Sequence, residues 1–420
     1  MEKRQFLKKM GQAAVSLPLL SFGSNDSYSL PAVGYDFEDD DEFWARIRQD
    51  YFLKPDYINL ENGYYNFIPQ PIMKKYQRHI ETVNYEASHY MRTVQWDNKA
   101  RIAARLANLI NATAETTVIT RNTTESLDLV IGGFPWKKGD EAIYAEQDYG
   151  AMQVQFEMVA KRYDTVNKVV SIPNHPKDDN EIVSIYESQI TDKTKLIMVS
   201  QLINITGHIL PVRKICDMAH GYDVDVMVDG AHCVGHIKTD IIAMDCDYYG
   251  SSLHKWLSAP LGAGLLVVKK EKISKIWPLL ADYKRKPDDI GRLNHTGTHP
   301  VATDLAIGDA IDYLNIIGLD RKEERMRYLQ RYWSTNLRDM PKIVINTPID
   351  EHRSCGIANV GVVGMPPKEL AKTLLDEFNI FTVGVDYANV KGCRITPNVY
   401  TTTSELDTFI DAMKALAARA

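Results

Sequence analysis

Between residues 118 and 266, apolar runs of strand length alternate with stretches of helical periodicity, and this alternation is the strongest constraint on the fold. Residues 118–120, 141–146, 168–172 and 195–200 read as strands, with helical stretches such as 180–189 and 211–222 among them. Strand followed repeatedly by helix predicts a mostly parallel sheet covered on both faces. Sheets of that kind place ligands at the carboxyl ends of their strands. Two such ends stand out. The apolar run VDVMVD closes on Asp229, and DYYGSSLHKW carries Lys255 just past its end. The turn Gly262-Ala263-Gly264 then lets the next strand pass close to its neighbours.

A carboxylate and a lysine at neighbouring strand ends suit pyridoxal 5'-phosphate. Lys255 would condense with the cofactor's aldehyde, and Asp229 would keep the pyridine nitrogen protonated so that the ring accepts electrons. Other segments fit around that pair. In 118–127 an apolar strand runs into Thr123 and Thr124 at a helix start, which is either an ordinary N-cap or a phosphate cradle. The segment Glu61-Asn62-Gly63-Tyr64-Tyr65-Asn66 follows a short strand at 57–60, and its aromatic residues make either a packed turn or a wall facing substrate.

VDGAH, followed 23 residues after His232 by Lys255 in the setting SSLHKW, resembles the class V aminotransferase family of fold-type I enzymes, which includes cysteine desulfurases, selenocysteine lyase and isopenicillin N epimerase. The resemblance runs from about Tyr57 to the C-terminus. It implies an α/β fold: a large domain with a mostly parallel mixed sheet flanked by helices, and a smaller α/β C-terminal domain. It implies that Thr123, Thr124, Ser252 and His254 sit at the cofactor phosphate and that Tyr149 stacks on the ring. His232 and Asn204 would lie near the phenolic oxygen, Asn204 also within reach of substrate. Arg394, in GCRITPNVY, would grip the carboxylate of an amino-acid substrate. Thr298, in NHTGTHP, would reach the phosphate of a neighbouring subunit, which makes a homodimer the expected assembly.

With 420 residues, 45% of them hydrophobic and 25% charged, the chain is long enough for two domains. The expected division is a leader or disordered N-terminus at 1–30, a segment at 31–70 joining the small domain, the large domain at 71–300, and connecting helices with the small domain at 301–420. Helices are expected at 41–52, 71–90, 99–111, 303–317, 320–339, 368–378 and 404–419, and small-domain strands at 358–363 and 392–396. A net charge of −6 offers no global attraction to nucleic acid or anionic membranes, and no apolar run is long enough to span a bilayer. Five scattered cysteines without a C-x-x-C pair indicate neither a zinc site nor a disulfide framework. Lys3-Arg4-Gln5-Phe6-Leu7-Lys8 ahead of an apolar run resembles a twin-arginine leader with Lys3 in the first arginine's place. Export to the periplasm is therefore expected; a cytoplasmic protein with a short amphipathic N-terminal helix is the alternative.

Rival chemistries fit less well. Ser252-Leu253-His254-Lys255 matches the S-x-x-K pattern of serine acylases, but its companion motifs stand in the wrong order and its serine does not open a helix. No G-x-G-x-x-G follows a strand, which argues against a nicotinamide cofactor. A scaffold that binds the cofactor without catalysis would have to be inactive with Asp229, Lys255 and Arg394 all in place. Among reactions, an isopenicillin N epimerase-like activity leads, with transamination or thiol-independent lyase chemistry as alternatives. A persulfide-forming desulfurase is not expected, because 381–390 holds no cysteine. Cys393, next to Arg394 in a strand, should point to the opposite face.

Overall fold

The structure, a computed structural model, describes residues 40–420 except Tyr283; the leader-like segment lies outside the described residues. Trp44–Ala420 form one compact unit. Its strands are β1 (Ile58–Asn59), β2 (Thr117–Thr120), β3 (Glu141–Ala145), β4 (Val166–Val170), β5 (Thr194–Ser200), β6 (Asp225–Asp229), β7 (Tyr248–Ser252) and β8 (Gly264–Val268). They continue with β9 (Ile343–Ile345), β10 (Ala358–Val362), β11 (Ile380–Phe381), β12 (Val383–Tyr387) and β13 (Val390–Ile395).

Seven strands form the main sheet in the order β2-β8-β7-β6-β5-β3-β4. From β7 through β4 every pairing is parallel, whereas β8 runs antiparallel to both β7 and β2. The exception has a local cause. Parallel neighbours need a crossover, usually a helix, and no helix lies between Ser252 and Gly264, so the chain turns straight back. Lys255 sits in that return. Strands β3, β5 and β6 are buried nearly throughout, and Leu196, Met198 and Met227 pack with Leu127 and Phe156 in one apolar core.

A second sheet, β12-β13-β10-β9, is antiparallel and packs with the helices Leu319–Arg338, Pro367–Phe378 and Thr403–Arg419 around Trp333, Phe409 and Leu416. The N-terminal segment joins this part of the molecule. Strand β1 pairs in parallel with β11, and Glu61 bridges Thr396 just past β13.

Several expected elements shift. The helix expected over 71–90 divides into Gln70–Glu86 and Ser88–Thr93 at Ala87, whose φ of 48° breaks the helical path. The helix expected over 41–52 is Asp40–Arg48. Strand β4 begins two residues before the expected 168, because an edge strand with mixed exposure leaves a weak apolar signature. Strands β9, β11 and β12 were not expected; they are short or largely exposed, so burial imprints little periodicity on them.

Candidate active site

A cavity of about 300 Å³ opens at the carboxyl ends of the main sheet, a volume at the lower end of that usual for small-ligand sites. Asp229 enters it from the end of β6, Lys255 from the return after β7, Thr123 and Thr124 from the helix that follows β2, and Tyr149 from the loop after β3. Asn204, His232, Ser252, His254 and Arg394 also line it. Of the residues expected to hold cofactor or substrate, Thr298 is the one that does not line it. A larger cavity of about 410 Å³ lies against the Arg48–Glu405 ion pair and contains none of them.

The electrostatics around Lys255 follow from burial. Desolvation lowers its pKa to about 8, against the opposing pull of Asp229. Its Nζ lies 3.1 Å from His232 Nε2. The indole Nε1–H of Trp256 donates to His232 Nδ1 at 3.2 Å. Burial first, and then the fields of Lys255 and Arg394, hold His232 well below the usual histidine range, so the ring is neutral. With Nδ1 accepting, the ring proton resides on Nε2 and points at the Lys255 amine. Behind it His236 stacks on Trp256 with ring centroids 4.0 Å apart. His236 Nδ1 donates to the His232 carbonyl at 2.8 Å, while Nε2 accepts from the Gly356 N–H at 2.9 Å. Trp256 and His236, which the sequence reading left without a role, thus fix the tautomer and position of His232.

Asp229 is buried, and desolvation raises its pKa. One oxygen accepts from the Ala231 N–H at 2.9 Å, and the other has no protein donor among the described residues. A protonated pyridine nitrogen is the kind of partner that such an oxygen lacks. At the far end, Thr123 Oγ1 and N–H both meet Ser252 Oγ, at 2.7 and 3.0 Å, and the Asn122 side chain caps Glu125 N–H. Among the described residues the Thr124 N–H and hydroxyl have no hydrogen-bond partner, and neither does the buried His254 Nδ1. Gly264 lets β8 press onto this corner, since a Cβ there would lie 2.6 Å from the Asn122 backbone. Uncommitted donors at a helix start suit a phosphate. Tyr149, about half exposed, offers a ring between the two ends. The residues present fit pyridoxal phosphate.

Two carboxylates near this site went unread in the sequence. Asp148 is fully buried, accepts from Ser200 Oγ at 2.6 Å and from the Ala145 N–H at 2.7 Å, and desolvation carries its pKa to about 7. Glu61 holds the guanidinium of Arg394 by Nε at 3.1 Å and by Nη2 at 2.5 Å. The expected carboxylate-gripping arginine therefore already has a carboxylate on one edge. Glu61 stands 333 positions before its partner, so no local pattern could have announced the pair. The cysteines behave as expected. All five are buried, Cys393 Sγ points at the Pro367 carbonyl, and burial pushes Cys393 and Cys355 up to about 12.

Comparison with known proteins gives a concordant result. The family pattern described as Aminotransferase class-V matches residues 67–409. Isopenicillin N epimerase of Streptomyces clavuligerus is 25% identical over 395 residues, covering 89% of this chain and 98% of that protein. A cysteine desulfurase of Dickeya dadantii is 30% identical over 301 residues, 68% of this chain and 69% of that one. Among solved structures, the apo cysteine desulfurase of Thermococcus onnurineus NA1 superposes with a TM-score of 0.79 at 20% identity, covering 89% of this chain and 98% of that one. A C-DES variant with glycine covalently linked to its PLP cofactor gives 0.78 at 18% identity, covering 87% and 98%.

Proposed function

The chain belongs to the class V aminotransferase family, and from that membership we propose that it is a pyridoxal-phosphate enzyme acting at Cα or Cβ of an amino-acid substrate, with an isopenicillin N epimerase-like proton transfer as the leading reaction. When bound, the cofactor supplies an aldehyde for the substrate amine and an electron-withdrawing ring that acidifies the Cα hydrogen. Asp229 would hold the protonated ring nitrogen with its second carboxylate oxygen. Thr123, Thr124, Ser252 and His254 hold the phosphate, and Tyr149 keeps the ring plane fixed. Lys255 would hold the cofactor and is the group placed to move the Cα proton; a pKa of about 8 lets Nζ take and return a proton near neutrality. His232 aims its Nε2–H at Nζ and so orients the amine lone pair. Thr298, absent from the cavity of its own chain, is read as reaching the site of a partner subunit.

The observation that carries this reading is the shared cavity of Lys255 and Asp229, with the lysine's pKa lowered and a neutral histidine on its amine. Persulfide-forming desulfurase chemistry is disfavoured because it needs an accessible thiolate, and every cysteine is buried. The test is a panel of amino acids given to the holoenzyme, with products identified by mass and chirality. An inverted amino acid supports the leading reaction. A keto acid would replace it with transamination, and pyruvate with ammonia would replace it with elimination. Alanine formed from cysteine with an enzyme-bound persulfide would overturn the thiol-independent reading.

A further inference from the structure

Arg394, expected to grip a substrate carboxylate, already carries protein partners. Of its five N–H donors, Nε and one on Nη2 go to Glu61, and one on Nη1 goes to the Asn204 carbonyl at 3.2 Å. The other two have no hydrogen-bond partner among the described residues, and Arg394 lines the cavity. Glu61 is equally committed, its Oε1 also accepting from the Tyr64 N–H at 3.0 Å. Both side chains are at most a tenth exposed.

The pair is built into the backbone. On one side of Glu61, the Leu60 N–H bonds to the Phe381 carbonyl and the Leu60 carbonyl accepts from Thr396 N–H, at 2.9 and 2.8 Å. On the other side, Asn62 N–H bonds to Thr396 Oγ1 at 2.6 Å and its side-chain amide to the Thr396 carbonyl at 2.7 Å. The backbone on either side of Glu61 is thus held in register with Phe381 and Thr396, which keeps its side chain beside Arg394. The turn also presses on the guanidinium itself, since a Cβ on Gly63 would lie 3.0 Å from Arg394 Cζ. A substrate carboxylate arriving here would meet a cation already paired with a buried carboxylate, with two N–H groups still to offer.

We propose that Glu61 is a specificity-determining residue that turns the Arg394 clamp from an anion site into a hydrogen-bonding site for an uncharged oxygen, so that the enzyme accepts amino-acid derivatives with a masked carboxyl, such as an amide or ester, at least as readily as free amino acids. This rests on the cofactor-dependent reading above, which supplies the seat for the amine. Two hydrogen bonds from a charge-compensated guanidinium serve a carbonyl as well as a carboxylate, because the extra strength of a charge-assisted bond depends on uncompensated charge.

The experiment titrates holoenzyme with L-alanine and L-alaninamide, and with serine and its amide, following the visible band of the bound cofactor and, separately, heat by calorimetry. The wild type should bind acid and amide of each pair within about threefold of one another. Glu61→Gln should shift that ratio toward the free acid by about tenfold or more, and Glu61→Asp, which keeps the charge, should stay near the wild type. A merely structural Glu61 would change both affinities together and leave the ratio alone. A wild type that already prefers the acid tenfold, with no gain in Glu61→Gln, overturns the proposal. Should Glu61→Gln not fold, the wild-type and Glu61→Asp ratios decide it, a strong acid preference in both being fatal. Absence of any cofactor band in the wild type is a different failure: it removes the cofactor-dependent reading, and this one with it.

Discussion

Lys255 and Lys322 are both enclosed lysines with lowered pKa values, and of the two only Lys255 lines the cavity at the sheet ends. Desolvation brings Lys255 to about 8 and Lys322 to about 7. Lys255 looks into open volume and shares it with Asp229, His232 and Arg394. Lys322, on the helix Leu319–Arg338, has its Nζ on the Trp256 carbonyl, with Cys355 and His236 as titratable neighbours. Trp256 stands between the two, accepting from Lys322 at its backbone and donating to His232 from its indole. A displaced pKa thus marks a buried amine, but chemistry needs in addition a path to a reactant and an opposing carboxylate.

The largest expected effect breaks the comparison at its reactive end. Lys255→Ala should lose covalent attachment of the cofactor and about 10²–10⁴-fold in turnover, the usual range for removing a general acid–base group. Borohydride treatment followed by peptide mapping reads the attachment. Label found at Lys322 instead would reverse the assignment. A smaller effect comes from the residue between them. Trp256→Phe removes the donor that fixes the His232 tautomer, and losing one hydrogen bond worth about 0.5–1.5 kcal/mol corresponds to a drop of about 2- to 10-fold. The pH–rate profile should broaden as well, since His232 would then sample both neutral forms; an unchanged profile would show that the indole only fills space.

Lys322 carries the smallest effect on turnover. Its folded value near 7 lies below the ordinary 10.5, so between those pH values the unfolded chain binds a proton that the folded chain lacks. Stability therefore rises with pH across that window, and the penalty of the buried charge is complete below it. Lys322→Met should raise the melting temperature most near pH 6.5 and least near pH 10, with activity kept within about twofold, as uncharged replacements of buried charge often are neutral or stabilising. A flat difference in melting temperature across pH would mean that Lys322 is not the titrating group.

How far the sequence could disclose the site depends on how local each piece is. Asp229, Thr123, Tyr149 and Asn204 each stand at or just past the end of a largely buried strand written in four to seven consecutive residues, and the cavity gathers them. The antiparallel return of β8 was less visible, since it depends on the missing helix after Ser252 more than on any residue present. Trp256 sits next to Lys255 in sequence, yet its work on His232 depends on how that return folds. Glu61 was read as part of a turn and Lys322 as part of a helix face. Their neighbours come from distant segments, and a single sequence carries no signal for such meetings.

The separation of Glu61 from Arg394 has a consequence in time. Strands β2 to β8 are all contained in residues 117–268, so the sheet that positions Lys255 and Asp229 is fully specified before the last third of the chain has been made. The corner that meets the substrate's carboxyl end is different: segment 58–66, among the first described residues to leave the ribosome, must wait for β11, β13 and Thr396 before it has anything to pair with. Domains formed from contiguous sequence fold as they emerge, and long-range pairings come late. During synthesis the nascent enzyme therefore passes through a stage in which its cofactor seat can form while its substrate filter does not yet exist, and a chain that stalls or is cut before residue 394 would keep the first without the second.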